Sequence, residues 1–145
     1  MDLTMTKAER EAFLAETHVG ILSVMEPGRA PLSLPVWYRY EPGGAIRIST
    51  GGASRKAQLL RQAGRASFCV QTETPPYKYV SVEGPVTIGV VDRERDVREM
   101  AHRYLGEQLG EWYVQSTAAE QAGAVLVMLE PQRWRTVDYA KMSLG

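Results

Sequence analysis

The sequence predicts an α+β fold, a six-stranded antiparallel barrel closed on itself with flanking helices at its ends. Three observations carry this. Short apolar-alternating stretches recur from Val19 to Val137 between turn signals, two segments switch to helical spacing, and one short helix falls between the third and fourth strands.

Thr6 to Glu16 reads as a first helix, with Thr6 as N-cap, Glu9 as its capping-box partner, and Ala8, Ala12 and Ala15 on one face. A strand follows from Val19 to Met25, and Glu26-Pro27-Gly28-Arg29 makes a turn. Leu32, Leu34, Val36, Tyr38 and Tyr40 then alternate with Ser33, Pro35, Trp37 and Arg39, and Pro35 assigns this strand to an edge or a bulge. After the turn Glu41-Pro42-Gly43-Gly44, a third strand covers Ala45 to Thr50. The short connections predict that these three strands are antiparallel neighbours.

Gly51-Gly52 breaks the pattern, Ser54 opens a helix over Arg55 to Arg61 with Ala57 and Leu60 inward, and Gly64 closes it. Strands over Ala66 to Gln71 and Tyr77 to Val91 are separated by Thr74-Pro75-Pro76, the second bending near Gly84-Pro85. Asp92 caps a helix whose buried stripe is Val97, Met100, Ala101, Tyr104 and Leu105. Its charges, including the close pairs Asp92 with Arg95 and Glu94 with Arg98, read as a solvated face that also carries Asp96. Helix continues over Glu107 to Ala119, and a last strand runs from Ala124 to Val137, interrupted near Pro131.

Length and composition restrict the function classes. A chain of 145 residues suits one domain, residues 1–145, because a chain of this size can bury roughly 70% of the surface it exposes when unfolded. With 17 basic and 17 acidic residues there is no overall field to gather nucleic acid or an anionic membrane. The charged first sixteen residues do not make a signal peptide, and no apolar run nears the ~20 residues that cross a bilayer. Cys69, the single cysteine, has no internal partner, so the expected compartment is the cytoplasm. One cysteine with His18 and His102 far apart shows no metal-ligand spacing, and both histidines read as surface or satisfied structural groups. No Ser-His-Asp or Cys-His arrangement is visible. Trp112, Tyr113 and Trp134 read as core packing, with a substrate pocket or a subunit contact as the other reading.

The most informative stretch is Ile48-Ser49-Thr50-Gly51-Gly52-Ala53-Ser54-Arg55-Lys56. It ends a strand, turns on two glycines and starts a helix. Free N–H groups and the positive dipole end of a helix favour an anion there, with charged donors from Arg55 and Lys56 and hydroxyls from Ser49, Thr50 and Ser54. A plain tight turn with an N-cap and a solvated first turn accounts for the same residues, although cations in a first turn oppose the dipole.

Pro35-Val36-Trp37-Tyr38, the Ser54-Arg55-Lys56 opening, the small-residue strand Arg65 to Gln71, and Tyr79-Val80-Ser81-Val82-Glu83-Gly84 together resemble the split β-barrel flavin-binding proteins. That superfamily contains the pyridoxamine phosphate oxidases and the oxidoreductases that use the deazaflavin coenzyme F-420. The resemblance covers about Phe13 to Tyr139. It implies a homodimer with a cofactor in each of two interface clefts. Ser54, Arg55 and Lys56 would hold the cofactor phosphate and Thr50 would sit at the same end. The backbone of Pro35, Val36 and Trp37 would lie beside the ring system, and Gln71 near its polar edge.

The chain lacks the C-terminal arginine-and-histidine motif of true pyridoxamine phosphate oxidases, since no histidine lies near Trp134 to Lys141. The shorter chain is more similar to the deazaflavin branch, where Arg39, Arg61 and Lys78 would help to hold an acidic glutamyl tail. The expected function is therefore hydride transfer between bound coenzyme F-420 and a small planar substrate. An FMN-binding oxidoreductase and a non-catalytic flavin or deazaflavin carrier are the alternatives. In hydride transfer the cofactor carries the reactive chemistry, so no protein acid or base is required by the reading.

Overall fold

The computed structural model describes residues 1–142. Thr6 caps α1 (Lys7–Ala15) through the capping box with Glu9: the Thr6 hydroxyl accepts from the Glu9 N–H at 3.1 Å and the Glu9 carboxylate from the Thr6 N–H at 2.8 Å. The buried face of α1 is Phe13 and Leu14. Of the face shared by Ala8, Ala12 and Ala15, Ala8 and Ala12 are exposed, because the large side chains with most apolar area to bury decide the helix's rotation.

Seven strands follow, one more than expected. β1 (Gly20–Val24) pairs antiparallel with β2 (Leu32–Val36) on one side and with β4 (Arg65–Gln71) on the other. β4 pairs with the 12-residue β5 (Lys78–Gly89). β3 (Ile46–Gly51) does not join β2 as a neighbouring strand, contrary to the meander expected from the short turn. It pairs along its full length with β6 (Ala124–Leu129), and a single bridge between Arg39 and Arg47 links it back to the β2 side. That bridge closes the ring β2-β1-β4-β5-β6-β3 into a barrel.

The last expected strand is two strands laid end to end on one edge of β5. β6 pairs with Val86 to Gly89, and β7 (Arg133–Asp138) pairs with Lys78 to Glu83. Between them Glu130 and Gln132 donate N–H bonds to the carbonyls of Pro85 and Glu83, both at 3.0 Å, so Pro131 sits in a bulge rather than in the ladder. Gly84 is a requirement of that bulge: a Cβ there would stand 1.7 Å from the Glu130 carbonyl oxygen.

Alternation along the strands fills the barrel with Leu22, Val36, Tyr38, Ile46, Ile48, Phe68, Val80 and Val127. Tyr38 is fully buried, and its hydroxyl donates to the Leu14 carbonyl at 2.6 Å, which ties α1 to the barrel without leaving a polar atom unsatisfied.

The helices serve the site. α2 (Arg55–Ala63), capped by Ser54 and ended by Gly64 in the left-handed region at φ 69°, packs Ala57, Leu59 and Leu60 inward. After β5 come a π-helical turn (Arg93–Arg98), α3 (Glu99–Leu105), α4 (Glu107–Ser116) and the single turn α5 (Ala118–Gln121). The expected stripe holds in part: Val97, Met100 and Ala101 are buried, while Tyr104 and Leu105 are half-buried. Among the described residues, no helix is long and apolar enough to cross a membrane.

Candidate functional site

The cavity and its walls. Where β2, β3 and α2 meet the helical segment after β5, a cavity of about 380 Å³ opens. Its strand and α2 walls come from Val19, Pro35, Val36, Trp37, Ser49 and Lys56. The helical segment contributes Asp96, Val97, Met100, Tyr113 and Gln121. The size falls within the range of small-molecule sites.

Trp37 is the aromatic wall. Its ring stacks on Tyr104, with centroids 5.0 Å apart and planes 4° apart, and tilts against Tyr113 at 5.2 Å. Tyr104 is itself fixed: its hydroxyl donates toward the carbonyls of His18 (2.6 Å) and Tyr38 (3.1 Å) and accepts from the Tyr38 N–H at 3.0 Å. Burial pushes the Tyr104 phenol up, so it stays protonated in that role.

Lys56 and Ser49 are polar groups of the strand and α2 walls. β3 turns Ile46, Ile48 and Thr50 to the barrel interior, which by the period of two aims Arg47 and Ser49 outward. The Ser49 hydroxyl is sealed from solvent, lines the cavity and has no partner among the described residues. Lys56, in the first turn of α2, is half-buried, and burial pushes its ammonium down. No carboxylate pairs with it among the described residues. A desolvated cation in the first turn of a helix and an orphan hydroxyl, both lining one cavity, are complementary to an anionic group such as a phosphate.

Asp96 corrects an expectation. It was assigned to a solvated helix face, yet it is 1% exposed. Its carboxylate accepts two bonds from Arg47, both at 2.9 Å, and the Asp92 N–H at 2.8 Å. The reason is a rotation that the 3.6-residue period does not anticipate: the segment begins as a π-helical turn, which shifts which residues face β3. This pair fastens the helical wall to the barrel.

The other expected residues are dispersed. Pro35, Val36, Trp37 and Lys56 are brought together in the cavity. Ser54 lies at its edge, with its hydroxyl accepting from the Ala57 N–H, and Arg55 points to Glu26 at 2.9 Å. Thr50 faces the barrel interior and Gln71 lies exposed on the outer sheet face beside Tyr79. Arg39 pairs with Glu99, Arg61 donates to the Gly52 carbonyl at 2.8 Å, and Lys78 lies 4.0 Å from Asp138; none of the three lines the cavity.

His18 is satisfied by the Phe13 carbonyl at 3.1 Å and His102 by Glu111 at 3.0 Å. Trp112 is not core: it is 62% exposed, because α4 meets α3 through Gly110 on the side facing His102. Val19, Asp96 and Gln121 were not among the sequence candidates, Val97 and Met100 were assigned only to a buried stripe, and Tyr113 takes its pocket reading rather than core packing; all but Val19 come from a segment whose distance along the chain hides its proximity to Trp37.

Relatives. The structure shares its fold with a conserved hypothetical protein, Rv2991, from Mycobacterium tuberculosis. That likeness has a TM-score of 0.79 and 27% identity, over 99% of this chain and 94% of the other. An F420 reductase aligns with a TM-score of 0.72 and 20% identity, over 86% of this chain and 94% of its own. A FAD-binding protein from Mesorhizobium loti aligns with a TM-score of 0.64 and 20% identity, over 92% and 93%. No curated protein matches the chain. The fold is the split β-barrel. The family model described as pyridoxamine 5'-phosphate oxidase matches residues 6–138, nearly the whole chain, and the protein belongs to that family.

Proposed function

We propose that the protein is an oxidoreductase that binds a flavin nucleotide, FMN, in the cavity beside Trp37 and uses it on a small planar substrate. The observation that carries this reading is that one aromatic-walled cavity is lined both by the half-buried, carboxylate-free Lys56 and by the orphan Ser49 hydroxyl. The residues fit such a group. Lys56 and Ser49 would bind its phosphate, supported by the N–H groups that open α2, and an anion there would restore the Lys56 ammonium toward its ordinary value. Trp37, held between Tyr104 and Tyr113, would orient a flat ring and exclude water from one side of it. The flavin supplies the hydride chemistry when bound.

Arg55 has a smaller part than its motif implies, because Glu26 already compensates its charge. A deazaflavin is the second reading, supported by the likeness to an F420 reductase over 86% of the chain. The same chemistry of phosphate and flat ring would satisfy the cavity. The cytoplasm is the proposed compartment.

A homodimer belongs to the same proposal. The outer face of β1, β4, β5 and β7 presents a cross-strand row of Ile21, Cys69, Ser81 and Arg135, with Ile21 42% exposed. Gln71 and Tyr79 lie in the next row of that face. With a partner laid there, Gln71 would approach the ligand from the interface, which fits its distance from the cavity of its own chain. Sedimentation at micromolar concentration checks the dimer, and a purely monomeric species would remove it.

The deciding experiment is fluorescence titration of ligand-free protein with FMN and with coenzyme F-420 side by side at fixed salt. Saturable FMN binding that falls about tenfold or more in Lys56→Ala is expected, since a charge-assisted contact to phosphate contributes roughly 1.5–3 kcal/mol. Preference for F-420 would move the protein to the second reading. Unchanged affinity in Lys56→Ala would remove the phosphate assignment. Turnover of the reduced cofactor with candidate acceptors separates an enzyme from a carrier.

A further inference from the structure

A second groove of about 560 Å³ lies between α1, the β2–β3 turn and the β6–β7 bulge, and it shares no residue with the cavity beside Trp37. Its walls are apolar and aromatic at Trp134, Met128 and Pro131. Its donors are uncommitted. The Arg10 guanidinium lies 4.5 Å over the Trp134 ring, and its Nε is sealed from solvent with no acceptor among the described residues. No carboxylate of those residues pairs with Arg10 or with Lys7 at the groove's rim. The Tyr40 hydroxyl accepts from the Gly43 N–H at 3.3 Å, which leaves its own proton free, and burial pushes that phenol up so that it remains a donor.

A sealed guanidinium N–H without an acceptor is costly, and this groove holds one at Arg10 Nε. The missing partner is therefore an acceptor, and a charged one, because the orphan donor belongs to a guanidinium with which no carboxylate of the described residues pairs. Glu11 and Glu130 also line the groove. Their charge disfavours a dianion such as a phosphate monoester and leaves a single negative charge as the best match. The walls call for a flat apolar body.

We propose that this groove is a second ligand site, specific for a planar aromatic monocarboxylate. The carboxylate accepts from Arg10 and Tyr40, and the ring packs beside Trp134, Met128 and Pro131. This assignment does not depend on the cofactor reading, since the two cavities have no wall in common.

The test uses 2-naphthoate and its uncharged analogue 2-naphthamide against the full chain, followed by the Trp134 indole N–H resonance in ¹H–¹⁵N spectra. Saturable shifts with 2-naphthoate are expected, with 2-naphthamide at least tenfold weaker. Arg10→Gln should abolish that difference, and Tyr40→Phe, which keeps the ring and removes the free proton, should weaken 2-naphthoate a few-fold. FMN titration of the same variants should be unchanged. If Arg10→Gln does not fold, the amide comparison and Tyr40→Phe decide alone. No saturable shift up to roughly 10 mM, the limit of a ligand worth about 3 kcal/mol, would overturn the site, as would equal binding of the amide or a carboxylate preference that survives Arg10→Gln.

Discussion

Replacing Asp96 with asparagine removes one charge while keeping the shape of the side chain, and the geometry sets the size of the effect. Asp96 is fully buried at its side chain and holds Arg47 through two bonds of 2.9 Å, while Arg47 itself is 21% exposed at its side chain. Removing one partner of a buried pair costs about 3–5 kcal/mol, because the other charge is left without compensation. The partial exposure of Arg47 lets water relieve some of that charge, so the lower end, about 3 kcal/mol, applies. A domain of this size loses about 0.3 kcal/mol per degree at its midpoint, so Asp96→Asn should lower Tm by roughly 10 °C. The assay is differential scanning calorimetry of wild type, Asp96→Asn, and the double variant Arg47→Met with Asp96→Leu. The double variant should recover half or more of the loss, since two apolar groups leave no buried charge. A drop under about 3 °C in the single variant, or a double variant no better than the single, would refute the view that this pair fastens the π-helical wall to β3. FMN affinity should fall along with Tm in the single variant, because Asp96 and its neighbour Val97 both line the cavity.

Gly84→Ala should fail to give soluble protein or should lower Tm by more than 10 °C, on the order of 3 kcal/mol or more, because the new Cβ would strike the Glu130 backbone 1.7 Å away and backbone cannot step aside; a midpoint near wild type would show that the β6–β7 bulge adapts. The Glu9 carboxyl is held down to about 2 by Lys141 at 2.7 Å and by the N–H and hydroxyl of Thr6. A carboxyl lowered in the folded state contributes stability above its ordinary value of 4.5, and that contribution is lost as pH falls from there through about 2. Glu9→Gln should therefore flatten the acid limb of a pH–Tm profile between those values, and an NMR titration that puts the Glu9 midpoint near 4.5 would contradict it. Ser49→Ala should weaken FMN binding a few-fold with no loss of Tm, since its hydroxyl bonds to no other described residue; a stability loss with unchanged affinity would make Ser49 structural.

Local chemistry determined much of this protein. The capping box of Thr6 and Glu9, the Ser54 cap and Gly64 end of α2, the alternation from Leu32 to Tyr40 and the interruption near Pro131 are all contacts within a few residues, and each stands where the sequence puts it. Pro35, Val36, Trp37 and Lys56, which the sequence brought forward through its resemblance to a family and, for Lys56, through a helix N-terminus, line one cavity. What only the tertiary structure decided depends on partners far along the chain. β3 takes β6 rather than β2, since barrel closure satisfies more backbone groups than a third hairpin strand would. Asp96 becomes a buried anchor because Arg47, 49 residues away, faces it, and Arg55 is drawn to Glu26 across 29. Tyr113 reaches Trp37 only after the barrel and the helical segment have docked. Charges and aromatic rings act through space with whatever the fold brings near, and periodicity along the chain carries no record of that.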